Sequence, residues 1–374
     1  MDFTLTPEQQ LLSDGIARFL DARYDLETSR TAVKTGPGWQ PDVWRALHSE
    51  LGVIGAVVPE EIGGDGGGAE ELMVITEALG RSLVVEPYVD SVVLGARLLH
   101  ATGAPAALEA ARRIVDDGAV SALAALEDCS GGDVARIATS AVSDGSSWVL
   151  NGTKAVVTSA PIAEYLIVSA MLDGKVALFL LSLRDAHAGL SSHVVRTIDD
   201  RPAADLTLDG VALPADALVA RDGLALLERA WDEATAAVIS EAVGLMRKVL
   251  DDTVAYTKAR EQFGQPIGSF QVLQHRMVDM LIELEQSVAA QYLAILSLDD
   301  PPVQRAAAVS AAKVTIARAA RFIGQNAVQL HGGMGMTEEL AIGHYFKRLT
   351  AIEYEFGTSD AHLDRFARVT AAEQ

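Results

Sequence analysis

Residues 144–180 read DGSSWVLNGTKAVVTSAPIAEYLIVSAMLDGKVALFL, and this stretch decides the fold class. Short apolar runs alternate here with three dipeptides, Asp144-Gly145, Asn151-Gly152 and Asp173-Gly174, and Asp209-Gly210 follows a later run. Asn-Gly and Asp-Gly tolerate positive φ and favour tight hairpins between strands. We therefore predict an antiparallel β domain at residues 117–222, with hairpins at these dipeptides, rather than βαβ units.

The segments on both sides of this β domain show helical periodicity. Thr6 can cap a first helix and Pro7 suits its first turn, so an N-terminal helical domain is predicted at residues 1–116. From residue 223 the period returns to 3.6, and Pro301-Pro302 separates two long amphipathic segments. This indicates a C-terminal four-helix bundle at residues 223–374. The predicted fold is α+β multidomain and mostly α.

Two apolar helix faces are predicted within this bundle. One consists of Ala242, Leu245, Met246, Val249 and Leu250, and the other of Leu273, Met277, Met280, Leu281, Leu284, Val288 and Tyr292.

A glycine-rich loop at residues 63–68 precedes a helix predicted at 69–82. The loop lacks a preceding strand pattern and the lysine of a phosphate-binding loop, so we interpret it as a plain connector.

Composition excludes several classes of protein. The chain has 374 residues, of which 49% are hydrophobic, so it can bury a large core in two or three packed units. Its 51 acidic and 30 basic residues give a net charge of −21, which argues against binding to nucleic acid or anionic lipid. No apolar run approaches the roughly 20 residues of a membrane span. No metal site is predicted.

The single cysteine, Cys129, cannot form an internal disulfide, which fits a reducing compartment. Residues 1–4 show neither the basic nor the apolar region of a signal peptide. We expect a cytoplasmic protein.

The stretch Arg260-Glu261-Gln262-Phe263-Gly264-Gln265-Pro266-Ile267-Gly268-Ser269-Phe270-Gln271 lies between two long predicted helices. Arginine, amides and an aromatic ring on an exposed connector suit a ligand that carries phosphate and a flat ring. The alternative is an ordinary helix–helix turn with a capping arginine.

Two further stretches combine glycine with polar groups. Gln329-Leu330-His331-Gly332-Gly333-Met334-Gly335 would let a pyrophosphate approach the backbone, or is only a helix C-cap with a loop. Glu353-Tyr354-Glu355-Phe356-Gly357-Thr358-Ser359-Asp360 offers carboxylates for proton transfer, or is an acidic helix start.

In this order, these motifs and the arrangement of helices, β domain and helices resemble the acyl-CoA dehydrogenase family over nearly the whole chain. The closer resemblance is to the small subunits of two-subunit enzymes of the pimeloyl-CoA dehydrogenase type. Residues 269–275 and 343–350 carry that closer match.

The resemblance implies an FAD cofactor and a set of residues that bind it. Some residues would reach the FAD of a neighbouring subunit: Arg260, Gln262, Phe263 and Gln271. Gln329, Gly332 and Gly333 would contact its adenosine and diphosphate. Thr158 would lie against the isoalloxazine, and Thr358 would also lie near FAD.

It also implies the reaction and the partners. A glutamate would remove the proton α to an acyl-CoA thioester while a hydride leaves Cβ for the flavin, in fatty-acid or sterol side-chain β-oxidation. Electrons would pass to an electron-transfer flavoprotein. The chain would form a homo-oligomer, or a heterotetramer with a homologous subunit.

The sequence departs from the family pattern at several positions. Leu126 and Gly132 replace a flavin-contacting threonine and a substrate-proximal serine, Val156 replaces a tryptophan, and Thr235 replaces an arginine.

The position of the catalytic glutamate also differs. Phe356 occupies it, with Glu355 one residue earlier, and a second family position holds Ala234 beside Glu233. Glu355 is the predicted base if its segment is irregular, and a partner is the alternative source.

Three functions remain open on these residues. The chain is a dehydrogenase subunit that retains FAD, which is our interpretation. The alternatives are a non-catalytic structural subunit that completes a homologous partner's FAD site, and an oxygen-using flavin enzyme on the same fold.

Overall fold

The structure is a computed structural model that describes residues 5–128 and 130–371. Residues 1–4, which bear on the predicted absence of a signal peptide, and Cys129 lie outside the described residues. The chain divides into two compact units. The helical unit comprises Met1–Thr28, Ala69–Val84 and Thr235–Gln374, and the β unit comprises Ser29–Gly68 and Val85–Ala234. The domain boundaries inferred from sequence, near 116 and 222, stay a prediction.

Helices precede the strands along the chain. They are α1 (Pro7–Arg23), α2 (Leu26–Thr35), α3 (Pro41–Ser49), α4 (Ala69–Arg81), a π-helix (Val89–Arg97), α5 (Leu98–Thr102) and α6 (Pro105–Asp117). The strands are β1 (Ser121–Ala124), β2 (Ser140–Ser143), β3 (Ser147–Thr158), β4 (Tyr165–Leu172), β5 (Lys175–Ser182), β6 (Leu190–Arg196), β7 (Pro202–Pro214) and β8 (Leu218–Ala220).

The chain then returns to helices. These are α7 (Leu224–Ala259), α8 (Gln271–Leu296), α9 (Pro302–His331), α10 (Ile342–Tyr354) and α11 (Ser359–Ala371). A two-strand hairpin, β9 (Glu261–Gln262) and β10 (Gln265–Pro266), stands between α7 and α8. The order of helices, β domain and helices confirms the predicted fold class.

The predicted start of α1 is confirmed by a reciprocal cap. The Gln9 N–H donates to Thr6 Oγ1 at 3.2 Å, and the Thr6 N–H donates to Gln9 Oε1 at 3.1 Å. Pro7 follows at the first helical position.

The backbone N–H groups of the glycine-rich loop at 63–68 form hydrogen bonds within the β unit. The N–H groups of Asp65, Gly66 and Gly67 donate to carbonyls of residues 55–58 at 2.9–3.0 Å. Such bonds leave these donors unavailable for a phosphate, which agrees with the predicted plain connector.

The sheet runs in the order β6-β7-β3-β2-β4-β5-β8, with β1 pairing β4. Most pairs are antiparallel, as predicted, but β1 and β2 each pair with β4 in parallel. One face buries an apolar cluster that includes Leu150, Leu166, Phe179 and Leu208.

Two of the four predicted hairpins are wrong. Asp144-Gly145 and Asp173-Gly174 do connect antiparallel strands, β2 to β3 and β4 to β5. Asn151-Gly152 lies inside β3 and Asp209-Gly210 inside β7, where the register of the pair shifts. The Gly210 N–H donates to Asn151 Oδ1 at 2.8 Å, so the two dipeptides form a bulge across paired strands. The backbone freedom that suits a hairpin also suits a bulge.

The second correction concerns the apolar faces predicted for α7 and α8. Ala242, Leu245, Met246, Val249 and Leu250 are buried, as predicted. On α8, Met280 and Leu284 are buried, whereas Leu281 is 44% exposed. The predicted buried face of α8 is therefore wrong at Leu281, because one helix face cannot span all seven of its predicted positions against one neighbouring surface.

Candidate active site

In the β unit, Thr158 closes the long strand β3. Its hydroxyl donates to Asp90 Oδ1 at 2.8 Å, and the Ser159 hydroxyl donates to Asp90 Oδ2. Ser159 has φ 60°, which turns the chain sharply after the strand and aims both neighbouring hydroxyls at one carboxylate. Asp90 stands in the first turn of the π-helix, a helix type often found at functional sites.

Sequence reasoning missed Asp90. The residue belongs to no motif, and 68 positions separate it from Thr158. No local pattern could have indicated this contact.

The segment that departs from the family pattern is held by a buried ion pair. Lys154 Nζ lies 2.8 Å from Glu127 Oε1, with side chains 0% and 4% exposed. The N–H groups of Ala138 and Thr139 also donate to that carboxylate. Burial raises the pKa of Glu127, but the hydrogen bonds from Lys154 and Thr139 outweigh it and hold the pKa below its usual value.

Glu233, next to the second family position for a base, is bound by two arginines of the β unit. Arg97 Nε lies 3.0 Å from Oε2, and Arg229 Nε lies 3.0 Å from Oε1. The Arg97 guanidinium also donates to the Val57 carbonyl. The three charged residues line a small cavity of about 180 Å³.

In the helical unit, the connector between α7 and α8 presents its predicted ligand groups to solvent. The side chains of Arg260 and Gln262 are exposed, and Phe263 is 91% exposed at φ 54°. Phe270 stacks edge-on against Phe263 at 6.1 Å, and Gln271 begins α8. The four predicted residues of this connector are therefore all exposed, from the end of α7 to the start of α8.

The paired glycines follow the end of α9. Gly332 has φ 61°, and both Gly332 and Gly333 are exposed with no atom within 4 Å of a built Cβ. Gln329 is exposed in the last turn of the helix. Gly335 differs, because a Cβ there would meet the Val328 carbonyl oxygen at 2.7 Å. The first two glycines thus leave backbone open to a ligand, whereas Gly335 serves packing.

The segment after α10 is irregular, as the prediction of Glu355 as a base requires. Glu355 is extended, Phe356 has φ 58° and Gly357 has φ 112°. Thr358 Oγ1 accepts a hydrogen bond from the Ala361 N–H at 3.2 Å, at the start of α11.

The Glu355 carboxylate is nevertheless paired inside the helical unit. Its Oε2 lies 2.8 Å from Arg348 Nη1. Arg348 is 3% exposed, and its Nε and Nη2 also bind both oxygens of Glu241 at 2.7 Å.

Lys313 also belongs to this cluster and is buried. Its ammonium donates to the carbonyls of Ile352 and Glu355. Burial lowers the pKa of Lys313, the charge of Glu355 partly opposes this, and the charge of Arg348 adds to it, with a net pKa of about 7.

These residues fit a bound FAD in kind. An exposed guanidinium and exposed glycine backbone suit a diphosphate, and an exposed aromatic ring with amides suits a flat heterocycle. Among the described residues no cluster of side chains could hold a metal ion. Within the same residues, no helix is long and apolar enough to cross a membrane.

Comparison with known proteins covers nearly the whole chain. The N-terminal, middle and C-terminal domains of acyl-CoA dehydrogenase match residues 6–109, 122–211 and 221–371. Acyl-CoA dehydrogenase IpdE2 of Mycolicibacterium smegmatis is 30% identical over 347 residues, which cover 92% of this chain and 93% of that protein.

Two solved structures have the same fold. A variant of the Tcur3481–Tcur3483 steroid ACAD superposes with a TM-score of 0.90 at 30% identity, covering 99% of both chains. The ChsE4–ChsE5 complex from Mycobacterium tuberculosis superposes with a TM-score of 0.90 at 27% identity, again over 99% of each chain.

Fold and relatives together define an oxidoreductase that acts on CH–CH bonds. The chain belongs to the acyl-CoA dehydrogenase family.

Proposed function

We propose that this chain is a subunit of an FAD-dependent acyl-CoA dehydrogenase that introduces an α,β double bond into an acyl-CoA thioester. The observation that carries this proposal is the exposure of the motif residues in a chain whose three domains all match the family. A connector that needed Arg260 and Phe263 for packing would bury them, and this one leaves them in solvent.

The proposed roles divide between the two units. In the helical unit, Arg260 pairs with the diphosphate, and Gln262, Phe263 and Gln271 contact the FAD of a neighbouring subunit. Gln329, Gly332 and Gly333 receive adenosine and diphosphate, and Thr358 also contacts FAD. In the β unit, Thr158 lies against the isoalloxazine.

FAD, when bound, accepts the hydride from the substrate, and the protein supplies orientation, exclusion of water and a group that takes the α proton. Glu355 stays the base predicted from sequence. In the structure its carboxylate lies 2.8 Å from Arg348, and a partner remains the alternative source of the base.

The proposed partner is a subunit of the same fold. Helix α8 exposes six large apolar side chains to solvent: Val272, Val278, Leu281, Ile282, Leu293 and Leu296. Such a surface is typical of a subunit interface. The connector with Arg260 directly precedes α8, so an interface along α8 supports the role of that connector at a neighbour's FAD. An electron-transfer flavoprotein would then accept the electrons.

The acyl group is proposed only as a class. The steroid ACAD among the solved relatives supports a sterol-derived acyl chain, and fatty acyl chains remain the other class. A single cysteine in 374 residues supports a reducing, cytoplasmic location.

Purification with any co-purifying chain tests the proposal. We expect a yellow protein whose flavin absorbance bleaches on addition of its acyl-CoA without consuming oxygen. A colourless chain that restores flavin to a homologous partner would support the structural-subunit alternative. Oxygen consumption by the reduced protein would support the oxygen-using alternative.

A further inference from the structure

The loop between α10 and α11 carries two of the residues proposed for the active site, Glu355 and Thr358. Between them, Phe356 has φ 58° and Gly357 has φ 112°. A bulky residue at positive φ is strained, and such a conformation persists only where the surrounding structure holds it. The contacts that hold this loop therefore decide the position of both proposed residues.

Lys313, on α9, contacts the backbone at the start of this loop. Its ammonium donates to the carbonyl of Glu355 at 2.7 Å and to the carbonyl of Ile352, in the last turn of α10. Carbonyls at the C-terminus of a helix lack partners within the helix and carry partial negative charge, so a cation there is favourable. Lys313 thus joins α9 both to the end of α10 and to the first residue of the loop.

Two other buried residues, Arg348 and His362, also contact the loop. Arg348 Nη1 lies 2.8 Å from the Glu355 carboxylate, and His362 Nε2 lies 3.0 Å from the carbonyl of the next residue. Among the described residues, the ammonium of Lys313 donates only to backbone carbonyls. Removal of this ammonium would therefore loosen the backbone at residue 355 while the ion pair of Arg348 stays.

The ammonium of Lys313 is an unfavourable choice for stability alone. The side chain is 0% exposed, and burial of a charged group without full compensation is costly. A methionine of similar length would fill the same space without desolvating a charge, and such replacements are often neutral or stabilising. A buried cation that binds loop carbonyls is better explained by the conformation that it imposes on the loop.

We propose that Lys313 is a positioning residue, which holds the loop at residues 355–358 in the conformation that presents Thr358 to FAD. The inference rests on the proposed function, because the contact between Thr358 and FAD belongs to it. Lys313 acts through the carbonyl of Glu355 and touches neither FAD nor substrate in this role.

Lys313→Met keeps the length of the side chain and removes the donor. In the assembly purified with any partner and saturated with FAD, we expect the amides of residues 352–362 to exchange with deuterium about tenfold faster than in wild type, because two hydrogen bonds from a charged donor are lost. The dissociation constant of FAD should rise about tenfold, while the melting temperature stays near wild type or above it. A residue that served stability alone would change the melting temperature instead.

Arg321→Met is the matched control. Arg321 also lies on α9, and its Nε donates to the Glu353 carboxylate of α10 at 2.9 Å, so it joins the same two helices through side chains rather than through the loop backbone. This variant should keep the wild-type exchange of residues 352–362 and the wild-type affinity for FAD.

A second variant, Lys313→Ala, tests the ammonium itself. 1-Propylamine replaces the atoms from Cγ to Nζ and should restore FAD affinity to this variant, whereas 1-propanol, which has similar size and no charge, should restore less. This comparison also decides the matter if Lys313→Met does not fold.

Wild-type exchange and wild-type FAD affinity in Lys313→Met would overturn the inference. So would equal losses in Arg321→Met, or the same recovery of Lys313→Ala with the alcohol as with the amine. A wild-type assembly that binds no FAD would contradict the proposed function instead, which separates the two failures.

Discussion

At the scale of single residues, the arginines differ in whether they form an ion pair with a carboxylate of this chain. Arg348 and Arg97 each bind a carboxylate in a largely buried setting, with side chains 3% and 22% exposed. Arg260 is exposed on the connector before α8, where the described part of the chain offers its guanidinium no carboxylate within ion-pair distance. We propose that this guanidinium binds a ligand in the assembled protein.

We predict that Arg260→Ala weakens FAD binding about tenfold to a hundredfold, since a hydrogen bond between charged groups contributes about 1.5–3 kcal/mol. The dissociation constant of FAD from the apoprotein measures this. Arg184→Ala, which removes an exposed arginine paired with Glu164 in the β unit, is the control and should bind FAD normally. Equal affinities in the two variants would count against the role of Arg260.

Lys313 predicts a pH dependence of stability. Its folded pKa of about 7 lies below the ordinary value of 10.5, so the unfolded chain binds more protons between these limits. Stability therefore rises with pH in this window, by about 1.4 kcal/mol per unit for one proton. Relative to Lys313→Met, the wild-type protein should gain about 2 kcal/mol between pH 7 and pH 9 in urea unfolding. Parallel pH profiles would show that the ammonium is not titrating there.

At the scale of elements, α4 and α7 cross through two glycines in the helical unit. A Cβ on Gly80 would lie 2.2 Å from the Glu241 carbonyl oxygen, and one on Gly244 would lie 2.0 Å from the Glu77 carbonyl oxygen. Both contacts are with backbone, which cannot move aside as a flexible side chain can. Helix packing at this crossing therefore depends on the absence of a side chain at both positions.

Gly244→Ala should destabilise the protein by about 1–3 kcal/mol or more through overpacking. Gly15→Ala is the matched change, because Gly15 also lies inside a helix and a Cβ there meets nothing within 4 Å. That variant should be more stable than wild type by about 0.5–1 kcal/mol. Thermal or urea unfolding compares the two, and similar effects would contradict the account of the crossing.

At the scale of the whole molecule, the exposed apolar side of α8 predicts assembly. Ile282 is 49% exposed near the middle of this helix. A charged side chain at this position would have to be desolvated in an interface, which is strongly unfavourable. The monomeric surface, in contrast, tolerates a charge.

Ile282→Asp should lower the mass of the purified assembly, measured by light scattering after size exclusion, and reduce its flavin content through loss of the neighbouring connector. Leu11→Asp changes a 67% exposed residue of α1 and should leave both unchanged. An intact assembly with Ile282→Asp would exclude this side of α8 as the interface.

Local sequence patterns were enough to predict the order of helices, β domain and helices. They also predicted the loops in which the motif residues lie. Periodicities of 3.6 and 2 reflect which side of one element is buried, and Thr6 with Pro7 specifies a helix start within a few residues. They could not distinguish a hairpin from a bulge at Asn151-Gly152, because both use the same backbone freedom. That choice depends on the opposing strand, where Gly210 donates to Asn151.

The sequence by itself determined the family and the fold class, and it predicted that the connector with Arg260 and Phe263 is exposed. Only the tertiary structure decided how the carboxylates are used: Arg348 holds Glu355, and Asp90 meets Thr158 across 68 residues. Such pairings form only when distant segments pack together, and charges in a packed interior interact strongly over short distances that no spacing in the chain encodes.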